Sequence, residues 1–171
     1  FHYECELVAV IGTGGSNVSV ESAASHIYGY GLGVDLTRRD LQEEAKQLRR
    51  PWCFSKGFDF SAPIGPITPA SDAGDCLDKS MIFRVNGIVK QETTLKKMIW
   101  SCAEVVAFLS RAVLLMPGDI IMTGTPAGVG CLAVGDACSA SVDGLQPCEF
   151  HVGEPLPSDP GGAFQLGRSS E

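Results

Sequence analysis

Basic charge is scarce in this chain. Lys plus Arg number 13 against 20 Asp plus Glu, a net charge of −7, with a pI of about 4.9. A general nucleic-acid binder needs a basic face for phosphate contacts, so that class is excluded. No uninterrupted apolar run approaches the ~20 residues that span a bilayer. No basic stretch followed by an apolar one opens the chain, so no secretory signal is read there. Cys5, Cys53, Cys76, Cys102, Cys131, Cys138 and Cys148 form no CxxC pair, which argues against a zinc ribbon and a thioredoxin-type site. No Ser sits in a GxSxG elbow, and no Cys has an obvious His partner. Seven scattered cysteines in a chain this long read as reduced thiols, hence a cytoplasmic protein or one of an organelle matrix, the mitochondrial matrix included.

The 171 residues are 44% apolar, enough for one core and one domain with a tail. Gly supplies 20 of them, above the usual ~7%, so turns and short strands are expected. Residues 1–12 read as a strand, 20–28 as a short helix, and 29–35 as a second strand ending at Asp35. Residues 37–50 give the strongest helix pattern. Thr37 is placed as its cap, supported by Asp40, with Leu41, Ala45 and Leu48 forming one stripe. Residues 51–71 read as loop and short strand. Residues 81–92 read as a hairpin turning at Asn86-Gly87. A helix starts at about Ser101, a strand covers 120–125, and a strand pair covers 136–152. Residues 72–75 read as a mobile loop and 153–171 as a poorly ordered tail. The pattern predicts a mixed α+β fold, mainly β, rather than a doubly wound sheet.

Several residues could carry chemistry. Glu4 and Glu6 stand two apart on a strand, so both carboxylates share one face. They are either a solvated strand face or a shared cation site. Asp35 is either a cap for the following helix or a third oxygen ligand. Three carboxylates without Cys or His neighbours suit Mg²⁺, with Mn²⁺ or Ca²⁺ as substitutes. A dinucleotide-binding reading of the GTGGSN segment fails, because Asn17 stands where the third glycine belongs and the crossover helix is very short. Arg39 and Gln42 share a helix face at i, i+3, either solvated or facing substrate. Lys56 lies among aromatic and small residues, either at a surface turn or as a desolvated cation. Thr125 belongs to a Thr-Gly-Thr-Pro strand end that is either a simple turn or an exposed pair of hydroxyls. His2, His26 and His151 read as structural.

Taken together, these segments resemble the fumarylacetoacetate hydrolase family, and within it the fumarylpyruvate and acylpyruvate hydrolase branch. FHYECELVAVIG, GYGLGVDLTRRDLQ, RRPWCFSKGFDFSAPIGP, VNGIVKQ and PGDIIMTGTPAGVG carry the resemblance, in order, from residue 1 to about 152. It implies a β-roll with short peripheral helices over residues 1–152, a homodimer, and one Mg²⁺ or Mn²⁺ per subunit. It makes Glu4, Glu6 and Asp35 the metal ligands, Lys56 the catalytic cation, and Arg39, Gln42 and Thr125 the substrate-binding residues.

The implied reaction is hydrolysis of a C–C bond in an acylpyruvate, in which metal and Lys56 stabilise a pyruvate enolate. Oxaloacetate decarboxylation, or an isomerase step of aromatic catabolism, uses the same enolate and remains open. So does a non-catalytic metal- and oxo-acid-binding role. The branch places a water-activating His and its Glu partner ahead of the first metal glutamates. Nothing here matches that dyad, so a segment upstream of Phe1 is expected to hold it.

Overall fold

The computed structural model describes residues 1–74 and 76–154. The chain runs β1 (His2–Tyr3), β2 (Cys5–Ile11), α1 (Val20–Ala23), β3 (Ile27–Val34), α2 (Arg39–Gln47), α3 (Cys53–Lys56), β4 (Thr68–Pro69) and α4 (Ala70–Ala73). It continues through β5 (Ser80–Val85), β6 (Ile88–Thr94), α5 (Cys102–Ala112), β7 (Ile120–Met122), β8 (Gly130–Cys131), β9 (Ala137–Val142) and β10 (Cys148–His151). Two four-stranded sheets, β4-β3-β2-β7 and β10-β9-β5-β6, and a β1-β8 ladder make up the β framework. The named pairings are antiparallel. The helices are short, and the fold is mixed α+β and mainly β, as the sequence pattern indicates.

Burial explains the strands. β2 is paired along both edges, by β3 and β7, and its residues are buried on both faces, so CELVAVI runs almost wholly apolar. β5 and β9 alternate instead. Met81, Phe83 and Val85 of one, and Cys138, Ala140 and Val142 of the other, turn into one core. Tyr3 packs on Phe83 with ring centroids 4.9 Å apart, so the start of the acidic segment is anchored to that core. At the β5–β6 turn, Asn86 and Gly87 take φ of 52° and 78°, the left-handed pair that a two-residue hairpin needs. Ser101 caps α5, with Glu104 completing the capping box.

Several expectations are corrected. The 20–28 helix is confined to Val20–Ala23 and a short turn to His26, because Ile27 is taken into the ladder opposite Ile11. The 37–50 helix spans only Arg39–Gln47, and Thr37 does not cap it. Thr37 is fully buried, and its backbone pairs with His2 in both directions at 2.9 Å. The Leu41–Ala45–Leu48 stripe does not face the core: Leu41 and Leu48 are exposed, and Gln42 is the buried residue of α2. The segment 51–71 carries a helical turn, α3, where a loop is expected. Residues 72–73 close α4 rather than a loop, and position 75 lies outside the described residues. The tail expected from residue 153 lies outside them too, beyond residues 153 and 154. Among the described residues, no helix is long and apolar enough to cross a membrane.

Candidate functional site

Strand register assembles the acidic cluster. Cys5 stands opposite Val34 and Glu6 opposite Gly33. One step further, Asp35 N–H donates to the Glu4 carbonyl at 2.8 Å. Residues opposite one another in an antiparallel pair send their side chains to the same face. Glu4, Glu6 and Asp35 therefore converge, and one oxygen of each lies within 4.8 Å of the others. Glu6 is only 4% exposed, while Glu4 and Asp35 are half-buried. Gly33, opposite Glu6, lets Val8 pack closely on β3, because a Cβ there would come within 2.9 Å of Val8 Cγ2.

Two cations close the cluster. Arg39 Nη2 donates to Glu4 Oε1 at 2.7 Å, and its Nη1 donates to Gln42 Oε1 at 2.5 Å. Lys56 Nζ donates to Glu4 Oε2 and Asp35 Oδ2, both at 2.5 Å, and to Thr37 Oγ1 at 2.8 Å. The lysine reaches there because Arg38 N–H donates to the Ser55 carbonyl at 3.0 Å, docking α3 beside the start of α2. Phe58 supports the same corner, with the Arg38 guanidinium 4.2 Å from its ring centroid. Arg39 and Lys56 thus meet the carboxylates directly, while Gln42 is joined to them only through Arg39.

The charges are unequal, with three acids against two bases. Burial opposes ionisation of Glu4, but the bonds from Lys56 and Arg39 outweigh it and hold that carboxyl below its usual value. Burial raises Asp35, with Lys56 opposing the shift. Glu6 meets no cation directly. Burial, together with the charges of Asp35 and Glu4, pushes it up to about 7, against a single bond from Gly124 N–H at 2.6 Å. Glu6 is therefore the carboxyl of the cluster that no cation of the chain neutralises when it ionises. A cluster of oxygen donors with one negative charge in excess fits a hard divalent cation, Mg²⁺, Mn²⁺ or Ca²⁺, and is poorly suited to Zn²⁺.

Thr125 forms no hydrogen bond to the carboxylates. Its Oγ1 accepts from Gln91 Nε2 at 2.9 Å, which leaves its own O–H proton to offer. Gln91, 2% exposed, is a site residue that the sequence reading missed. Its Oε1 accepts from Cys5 N–H at 3.0 Å, and its Nε2 also donates to the Pro126 carbonyl at 2.9 Å. It therefore ties the acidic strand to the Thr-Gly-Thr-Pro corner. The only signal for it was a glutamine ending the VNGIVKQ stretch. Thr37 was missed as well, whereas the backbone N–H that a Thr-Gly-Thr-Pro strand end exposes is the one that Gly124 gives to Glu6. A cavity of about 370 Å³ shares Gly124 and Thr125 with this site.

None of the three histidines has a hydrogen bond to the carboxylates. His26 Nδ1 lies 2.7 Å from the Thr13 carbonyl, and His2 Nε2 lies 3.1 Å from Cys131 Sγ. The glycine turn of the rejected dinucleotide reading is occupied by the chain itself, with Gly15 N–H donating to the Leu115 carbonyl at 2.9 Å.

Residues 1–153 match the fumarylacetoacetate (FAA) hydrolase C-terminal family. The fumarylpyruvate hydrolase of Ralstonia sp is 41% identical over 154 residues, covering 90% of this chain and 79% of that protein. The mitochondrial oxaloacetate tautomerase FAHD1 of Homo sapiens is 35% identical over 154 residues, covering 90% of this chain and 70% of that protein. The crystal structure of fumarylpyruvate hydrolase from Pseudomonas aeruginosa in complex with Mn²⁺ and pyruvate superposes with a TM-score of 0.86 at 45% identity. That superposition covers 89% of this chain and 65% of the other. The chain thus spans 65–79% of the length of these relatives. It belongs to the fumarylacetoacetate hydrolase family.

Proposed function

We propose that the chain hydrolyses a C–C bond of an acylpyruvate such as fumarylpyruvate, giving pyruvate and a carboxylic acid. The observation that carries this reading is the convergence of Glu4, Glu6 and Asp35 within 4.8 Å, with Lys56 and Arg39 held against them. In this reading the three carboxylates hold Mg²⁺, with Mn²⁺ or Ca²⁺ as substitutes. When bound, the ion supplies Lewis acidity toward the oxo-acid end of the substrate.

The chain's own residues then have separate tasks. With Glu4 and Asp35 turned to the ion, Lys56 would redirect one of the N–H bonds it gives those carboxylates to the oxygen that gains negative charge as pyruvate leaves as its enolate. Such a contact is worth ~3 kcal/mol, or roughly a hundredfold in rate. Arg39, steadied by Gln42, orients the substrate's carboxylate and oxo groups. Thr125 directs its O–H proton at the substrate carboxylate. The homodimer expected for the family accords with Phe108, Val113, Leu114 and Met116, four apolar side chains exposed at α5 and just after it. A cytoplasmic location accords with Cys5, Cys102, Cys138 and Cys148, which are buried thiols.

A second reading, tautomerisation or decarboxylation of oxaloacetate, draws on the tautomerase relative and uses the same cluster. A substrate panel separates the two. Fumarylpyruvate, acetylpyruvate and oxaloacetate are each incubated with protein and Mg²⁺; pyruvate release is followed by a coupled assay, and loss of the enol's ultraviolet absorbance reports tautomerisation of oxaloacetate, which releases no pyruvate. Release from an acylpyruvate supports hydrolysis. Turnover of oxaloacetate alone moves the assignment to the second reading.

A further inference from the structure

The cavity that shares Gly124 and Thr125 with the acidic site has a particular wall chemistry. Leu7, Leu95, Met98, Ile99, Trp100 and Val105 make it predominantly apolar, and Lys97 is its only charged lining residue. Lys97 is exposed and forms no ion pair among the described residues, whereas its neighbour Lys96 is paired with Asp78 at 3.2 Å. At about 370 Å³ the cavity lies in the size range of small-ligand pockets, where apolar walls and a few polar groups set specificity. Its position matters as much. Thr125 is the residue assigned to the substrate, and Gly124 N–H holds Glu6, so one end of the cavity is the wall of the reacting site. A bare pyruvyl group has no use for this space, while an acyl chain attached to it would extend along the apolar walls.

We infer that this cavity receives the acyl chain of the substrate, and that Lys97 pairs with a carboxylate at the chain's far end. The site then selects acylpyruvates that carry a second carboxylate over their monocarboxylate counterparts. The selection rests on the acylpyruvate reading above, but it is measurable without turnover. Charge at a solvent-facing rim is screened, so the expected discrimination is modest, about three- to tenfold.

The test uses two matched oxo acids that the protein cannot cleave as β-diketones. One is α-oxoadipate, with a distal carboxylate, and the other is α-oxohexanoate, without one. Binding to the Mg²⁺-loaded protein is measured by titration calorimetry for the unsubstituted chain and for Lys97→Met, Lys97→Glu and Lys97→Arg. The expected result is tighter binding of α-oxoadipate to the unsubstituted protein. That preference is lost in Lys97→Met, reversed in Lys97→Glu and kept in Lys97→Arg, while α-oxohexanoate binds all but Lys97→Glu alike. Equal ratios across the four proteins overturn the inference. So does a change of oligomeric state in Lys97→Met with an unchanged ratio, which assigns the groove to a second copy of the chain. Hydrolysis of fumarylpyruvate, run in parallel on the unsubstituted protein, reports on the hydrolase reading alone. Its failure, with the binding ratio intact, leaves the Lys97 contact standing and removes only the reaction.

Discussion

Replacing Glu6 by Gln separates the stability of the site from its function. Glu6 is almost fully buried and its carboxyl is raised from 4.5 to about 7. The folded protein therefore holds a proton on this group over a pH range where the unfolded chain has released it. Because the folded state binds more protons there, stability falls as pH rises from about 4.5 through 7. A rise of this size corresponds to ~3 kcal/mol once the group is ionised in both states. The amide of Glu6→Gln is already neutral, and its oxygen can still accept from Gly124 N–H. In EDTA at about pH 8 the variant is expected to be more stable than the unsubstituted protein by up to ~3 kcal/mol. At about pH 5 the difference should nearly vanish, because Glu6 is then protonated as well. Saturating Mg²⁺ should reverse the order, since binding stabilises only the chain that keeps three carboxylates. Urea unfolding at both pH values, with EDTA and with Mg²⁺, reads all four differences. A variant less stable than the unsubstituted protein at both pH values in EDTA would refute the reasoning about Glu6.

Three further outcomes are expected. Lys56→Met should lower turnover of fumarylpyruvate about a hundredfold while Mg²⁺ still raises the unfolding midpoint, which separates the enolate contact from metal binding. Gln91→Leu strips the buried Cys5 N–H of its acceptor and should cost about 2 kcal/mol in urea unfolding. Its KM should rise as well, because Thr125 loses the bond that fixes it. Gly124 has φ of 98°, so Gly124→Ala should cost about 1–3 kcal/mol in backbone strain. The same change should weaken Mn²⁺ binding in a calorimetric titration, because the N–H that holds Glu6 is displaced.

Local signals in the sequence were legible wherever a few neighbouring residues decide the outcome. Asn86-Gly87 specifies its own turn, and Ser101 with Glu104 specifies its own cap. The shared face of Glu4 and Glu6 follows from strand period alone. Asp35 is different, because it joins them only through the β2–β3 register, which places it opposite Glu4. Thr37 carries the local pattern of a helix cap, yet pairing with His2 and the approach of Lys56 override it. The apolar stripe of α2 was misread for a related reason. That helix turns Gln42 inward, toward Arg39 and the acidic cluster, and leaves Leu41 and Leu48 outside. Gln91 joins two segments distant in sequence, so no local pattern could announce it.

The most direct test of the central claim, that Glu4, Glu6 and Asp35 hold the divalent ion on which acylpyruvate hydrolysis depends, is a single spectroscopic series. Decay of fumarylpyruvate's ultraviolet absorbance is followed with Mg²⁺, with EDTA, and with the Glu4→Ala, Glu6→Ala double variant in Mg²⁺. The expected result is decay with Mg²⁺ that EDTA abolishes and the double variant does not show. Equal decay in EDTA, or in the double variant, would contradict it.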